Sequence, residues 1–230
     1  MIHLAFDILA IALASTFSYY FRRKYQLNFI HNPSIIGDLK YYYQTALLLG
    51  LIIGSIFFGS LNMQLSGVEG FGKSMLGGIF GAVLFAEVFK YFAKIKTSTG
   101  LVFVPMLAIL IIIGRLGCFA AGLDDYTYGV QTSLPWGFDF GDGINRHPVQ
   151  LYESLSLLGF LGLFLYQYPK KQTFWHQNGF YIFITFYAIQ RFVWEFLKPY
   201  EQIFGVFNLF HILAIILIAY ATIFLNKSNT

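Results

Sequence analysis

Two arginines stand inside hydrophobic runs of this chain. Arg115 interrupts Leu101–Ala121, within Gly114-Arg115-Leu116-Gly117, and Arg191 interrupts Phe180–Leu197, four residues before Glu195. A guanidinium stays protonated, and at bilayer depth it costs at least ~2.5 kcal/mol on insertion scales. An anionic ligand inside the membrane would justify that cost, and a lipid phosphate is the commonest one there. Two arginines at similar depth could grip one phosphate, because each forks onto phosphate oxygens and the bonds strengthen in a low dielectric. The competing reading is an ion pair for each. Arg191 and Glu195 are spaced i,i+4, on one helix face; Arg115 has no local acid but could meet Glu153 or Glu87 through space.

A second cluster is Arg146-His147-Pro148-Val149-Gln150-Leu151-Tyr152-Glu153. Proline suits the first turn of a helix. A helix starting there carries Gln150 and Glu153 on one face, with His147 at its mouth. The plainer reading is a helix start at which Glu153 satisfies a neighbour across the bundle.

These residues need elements to hold them at depth. The chain is 57% hydrophobic and 11% charged, against about 25% charged in an average soluble domain; its mean hydropathy is +0.62. Only helices or a closed barrel can span a bilayer. The apolar runs are about 20 residues long without period-2 alternation, so they read as helices. The spans predicted are 2–21, 41–60, 74–93, 100–120, 149–168, 178–197 and 207–225. The class is therefore an all-α integral membrane protein with seven transmembrane helices, forming a single polytopic domain over residues 1–230. The first segment lacks a basic n-region and a clear cleavage site, so it reads as a retained helix rather than a signal peptide.

Charge sets the orientation. One set of span ends holds Arg22, Arg23, Lys24, Lys40, Lys90, Lys94, Lys96, Lys170, Lys171 and Lys227; the other holds only Lys73, Arg146 and Lys198. The positive-inside rule puts the first set in the cytoplasm, the N-terminus outside and the C-terminus inside. Both arginines then lie in the outer half of the membrane. The outer connections collect Glu69, Asp124, Asp125, Asp139, Asp142 and Glu201, and the longest of them is 122–147. A long loop over a membrane site is often functional. The net charge of +4 reflects anchoring to anionic lipid; no soluble basic domain exists to bind nucleic acid. A single cysteine, Cys118, excludes an internal disulfide. Gly50/Gly54 and Gly77/Gly81 have the small-xxx-small spacing of close helix packing; the Gly77-Gly78 pair could also let a lipid approach the backbone. Tyr19, Tyr20, Tyr41, Tyr42, Tyr43, Trp136 and Trp175 fall at interface depth and read as an aromatic belt.

Taken in order, these clusters resemble the prolipoprotein diacylglyceryl transferases of bacteria. That family's Gly-Arg-x-Gly-Asn-Phe signature is matched by Gly114-Arg115-Leu116-Gly117-Cys118-Phe119, and its Arg-x-Pro-x-Gln-x-Tyr-Glu segment by Arg146 through Glu153. Its Tyr-x-x-x-Arg-x-x-x-Glu-Phe span is matched by Tyr187, Arg191, Glu195 and Phe196; of its His-Gly-Gly, Gly77-Gly78 remain and Leu76 replaces the histidine. Cys118 stands where the signature has asparagine, Leu123 where an acid follows Gly122, and the first span lacks the family's early tyrosine.

The resemblance implies transfer of the diacylglyceryl group of phosphatidylglycerol to a prolipoprotein's lipobox cysteine thiol, at the bacterial cytoplasmic membrane. Glycerol phosphate is released, and no metal or other cofactor is needed. It implies catalytic roles for Arg115, Arg191, His147 and Tyr187; with Leu76 in place of the family histidine, His147, Tyr187 or a carboxylate must substitute as base, or the base is absent and activity is lost. It implies substrate contacts from Arg115, Arg191, Gly77, Gly78, Gln150, Glu153 and Glu195. The partners implied are phosphatidylglycerol, a lipobox segment and membrane lipids. The alternative within the same fold is a non-catalytic relative that binds anionic phospholipid or uses another acceptor.

Overall fold

The computed structural model describes residues 2–27 and 39–228. Its long elements are seven helices: α1 (Ile2–Lys24), α2 (Leu39–Leu65), α3 (Met75–Phe92), α4 (Val104–Ala121), α5 (Val149–Gln167), α6 (Gln172–Glu195) and α7 (Leu209–Ser228). Two short hairpins connect them. β1 (Phe138–Asp139) pairs antiparallel with β2 (Asn145–Arg146) between α4 and α5, and β3 (Gln202–Phe204) pairs with β4 (Phe207–Asn208) between α6 and α7.

Each helix corresponds to one predicted span. Five of them, α1 to α5, are long and apolar enough to cross a membrane. α6 is long but more polar, since His176, Asn178, Gln190, Arg191 and Glu195 lie along it. It also begins six residues before the predicted span at 178. The side chain of Lys227, one of the cations used for orientation, lies outside the described residues.

Local signals explain the boundaries. Ser74 caps α3, its Oγ accepting from the Gly77 amide at 3.1 Å, and α4 carries Pro105 in its first turn, where a missing N–H costs nothing. α5 starts at Val149, directly after Pro148. Asn208 caps α7, its Oδ1 accepting from the amides of Phe210 and His211 at 3.0 and 3.1 Å, which satisfies donors that a helix start leaves unpaired.

α2 lies along α3, α1 along α4, α6 along α7, and α5 between α4 and α6. The α2–α3 contact is a glycine seam. A Cβ on Gly77 would sit 2.6 Å from the Gly54 carbonyl oxygen, and one on Gly72 2.6 Å from that of Gly59. The main core joins α3 to α7 and includes Leu76, Val104, Ile111, Phe164, Phe183 and Leu217. Of the predicted aromatic belt, Tyr19, Tyr20, Tyr41, Tyr42 and Trp136 are exposed, as a belt requires. Two members turn inward instead. Tyr43 is buried with its hydroxyl 2.6 Å from Thr99 Oγ1, and Trp175 is buried with its ring 5.0 Å from that of Phe164. Both rings found an inward polar or aromatic partner that composition could not reveal.

Candidate active site

Glu153, one turn into α5, is wholly buried and meets three cations. Arg115 Nε of α4 lies 2.5 Å from its Oε2; Arg191 Nη1 of α6 lies 2.5 Å and Lys198 Nζ 2.8 Å from its Oε1. The other guanidinium nitrogen of Arg191, Nη2, binds Glu195 Oε1 one turn along α6. Lys198 Nζ stands 3.9 Å from that same oxygen. Asn208 closes the group, donating to Glu195 Oε2 at 3.4 Å while capping α7. All five charged side chains are at least nine-tenths buried.

The sum of charges decides what this cluster can do. Three cations face two carboxylates, so one positive charge is left uncompensated among these side chains. A buried charge without a partner is expensive. An anion arriving between Arg115 and Arg191 would neutralise it. Arg191 Nε has no hydrogen-bond partner among the described residues, and Arg115 offers one Nη only a long 4.0 Å contact with Cys118 Sγ. Both arginines therefore retain donor capacity. The ion-pair reading of Arg191 and Glu195 is also correct, and Glu153 answers the missing partner of Arg115. Glu87, the other acid considered for Arg115, instead binds Lys90.

The remaining predicted residues divide. Tyr187, four residues before Arg191 on α6, is fully buried and its hydroxyl has no hydrogen-bond partner among the described residues. Gln150 is fully buried on the Glu153 face of α5 and donates to Thr127 Oγ1 at 3.4 Å. His147 is half-buried with Nδ1 3.3 Å from the Tyr152 hydroxyl, and it makes no described contact with the charged cluster. Gly77 and Gly78 face α2, with Gly54 and Leu51 carbonyls against them. Leu76 is fully buried in the main core.

The 122–147 connection is built, not loose. Asp139 Oδ1 accepts from the amides of Gly141, Asp142 and Gly143 at 2.8, 3.1 and 3.0 Å, which folds the tip of the β1–β2 hairpin. Arg146 Nη1 binds Asp142 Oδ1 at 2.6 Å, and this hydrogen bond holds the Asp142 carboxyl below its ordinary range. The connection is tied to the end of α6. Val130 N donates to Leu197 O at 2.7 Å, Tyr126 Oη to Pro199 O at 3.1 Å, and Tyr200 Oη to Tyr126 O at 3.1 Å. These bonds bracket Lys198 and fix its position over Glu153.

Sequence reasoning missed three members of the site. Lys198 enters the sequence reading only as an outer cation; its signal is a lysine three residues after Glu195 on a face otherwise poor in cations. Asn208 and the buried His211, whose Nδ1 lies 3.0 Å from Asn208 Oδ1, carried no signal, because their approach to Glu195 depends on how α7 packs on α6.

Known proteins resemble this chain along most of its length. The sequence model of the family described as prolipoprotein diacylglyceryl transferase matches residues 5–226. A phosphatidylglycerol–prolipoprotein diacylglyceryl transferase of Polynucleobacter necessarius is 28% identical over 242 residues, covering 91% of this chain and 89% of that protein. The protein of the same name from Geobacter sulfurreducens is 30% identical over 181 residues, covering 74% and 67%. That from Clostridioides difficile is 29% identical over 203 residues, covering 80% and 77%. No solved structure matches the chain. With the family match running nearly from end to end, the chain belongs to the prolipoprotein diacylglyceryl transferase family.

Proposed function

We propose that this chain transfers the diacylglyceryl group of phosphatidylglycerol to the lipobox cysteine of a prolipoprotein. The observation that carries the reading is the uncompensated positive charge of the Arg115–Glu153–Arg191–Glu195–Lys198 cluster, in a chain whose relatives bear that activity in their names. The family is bacterial, and the chain is read as a multi-pass protein of the cytoplasmic membrane. It crosses seven times with its N-terminus outside, which puts the cluster in the outer half of the bilayer.

In the reaction the cysteine sulfur bonds to the glycerol carbon that carries the phosphate. The carbon–oxygen bond to that phosphate breaks, and glycerol phosphate leaves with the electron pair. Negative charge grows on the departing group, and fixed cations stabilise it most where water is excluded. Arg115 and Arg191 are assigned that role, and Glu153 holds them at a common depth. The thiol must also lose its proton, and Leu76 cannot take it. Tyr187 is assigned the relay: its hydroxyl, on the helix face of Arg191, accepts the thiol proton as it passes its own to the departing phosphate. His147 is engaged with Tyr152. Gln150, Glu153 and Glu195 shape the head-group pocket, and Gly77 and Gly78 act by letting α3 lie close to α2.

The second reading is a relative that binds anionic phospholipid without transfer. The apolar, fully buried Leu76 at the family's histidine position favours it. One experiment separates the two. Purified protein is incubated with phosphatidylglycerol and a lipobox peptide, and the peptide is weighed by mass spectrometry, with Arg191→Lys in parallel. A diacylglyceryl mass on cysteine, lost in the variant, supports the transferase. An unchanged peptide, with phosphatidylglycerol still bound, supports the second reading.

A further inference from the structure

A cavity of about 430 Å³ lies between the α2–α3 hairpin and helices α4, α6 and α7, within the ~300–1,000 Å³ typical of ligand sites. It follows α3 from Met75 to Lys90, roughly 22 Å at ~1.5 Å per residue. Its walls are apolar for most of that length, with Leu47, Leu51, Val83, Leu107 and Leu110 among them. Leu48, also in the wall, is exposed on the outer surface of α2, so the slot opens sideways toward lipid.

The far end is polar. Lys90 Nζ lies 2.8 Å from Glu87 Oε1, and the Tyr220 hydroxyl donates to the same oxygen at 2.8 Å. Tyr43 and Thr99, paired at 2.6 Å, also line this end. Lysines at the ends of spans ordinarily extend to water. Lys94 and Lys96 are exposed in that way, but Lys90 is only 4% exposed and turns into the slot. None of these groups belongs to the charged cluster around Glu153.

The polarity gradient orients an occupant. An amphiphile here would put its chain toward Met75 and Leu110 and its head at Glu87 and Lys90, on the lysine-rich side of the bundle. A lipid gripped by Arg115 has its head at the opposite end, since Arg115 lies twelve residues along α4 from Phe103 of the slot, roughly 18 Å at ~1.5 Å per residue. The head group is defined by charge. A phosphate suits Lys90, a primary ammonium suits Glu87, and an anionic head with no amine would be repelled by Glu87. We propose that this slot is a second lipid site, which holds an ethanolamine phospholipid from the leaflet on the lysine-rich side, with one acyl chain along α3.

The test incubates the full chain in vesicles of equal phosphatidylethanolamine, phosphatidylcholine and phosphatidylglycerol, then extracts it and quantifies the retained lipid by mass spectrometry. Wild type should retain phosphatidylethanolamine well above phosphatidylcholine, beside the phosphatidylglycerol expected at the arginine cluster. Phosphatidylethanolamine retention should fall about tenfold, a ~1.4 kcal/mol loss of binding, in the double variant Glu87→Gln/Lys90→Met. It should fall equally in Ala82→Phe, which fills the slot, and should persist in Arg191→Lys. Thermal melting identifies which variants are folded, and either slot variant suffices. Retention of phosphatidylethanolamine no greater than that of phosphatidylcholine in the wild type overturns the proposal without any variant. So does phosphatidylethanolamine retention that follows Arg191 rather than Glu87 and Lys90, because the slot would then house only the tails of the lipid gripped by the arginines.

Discussion

Glu153 is the residue on which the site turns, because one carboxylate holds three cations from α4, α6 and the segment after α6. Removing one partner of a buried charge network strands the others, at a cost of ~3–5 kcal/mol. Glu153→Gln is therefore expected to lower the thermal midpoint by that equivalent, as well as to abolish transfer. The same logic changes the choice of arginine variant. Arg191→Ala would strand Glu153 and Glu195 together, so a lost activity would be confounded with misfolding. Arg191→Lys and Arg115→Lys keep the charge but lose the planar fork. Each is expected to reduce diacylglyceryl transfer about 10²- to 10³-fold, the usual effect of removing one stabilising donor, with melting close to wild type. Near-normal transfer in both lysine variants would remove the arginines from the phosphate-binding role.

Two elements position the site from outside it. The glycine seam lets α2 and α3 approach to backbone contact, and Gly77→Ala would drive a methyl group to 2.6 Å from the Gly54 carbonyl oxygen. Backbone there cannot yield as a flexible side chain can. Overpacking of this kind costs typically ~1–3 kcal/mol, and the expected result is a lowered melting temperature; a variant as stable as wild type would show that the helices separate easily. The β1–β2 hairpin has a pH limit of its own. Its Arg146 hydrogen bond depresses the Asp142 carboxyl, so the contact supports the hairpin above the ordinary carboxylate range and is lost as pH falls through the depressed value. Hydrogen exchange at residues 138–146 should thus be slower in wild type than in Asp142→Asn at neutral pH, and the two should converge in acid. A difference that persisted in acid would assign the ordering to the Asp139 turn alone.

At the scale of the whole molecule, the expected arrangement is seven crossings with the lysine-rich ends inside. With Cys118→Ser as background, single cysteines placed at Gly141 and at Lys171 should react with an impermeant reagent from opposite sides of the membrane; labelling from one side would break the topology. Most of the helices were legible in the chain because a 20-residue apolar run has only one economical structure in lipid. α6 was legible in place but not in length, since its first turns carry Gln172, His176 and Gln177, which hydropathy reads as loop and packing turns into helix. The sequence by itself determined the helical membrane class and the presence of Arg115, Glu153, Arg191 and Glu195 as costly groups that required partners. It left open which partner each would take. Tertiary structure alone decided that Glu153 gathers three cations, that Lys198 and Asn208 join the site, and that Glu87 belongs to a separate slot. The physical reason is that charge cost is a property of one residue in its own span, whereas compensation depends on the depth and rotation at which four different helices meet.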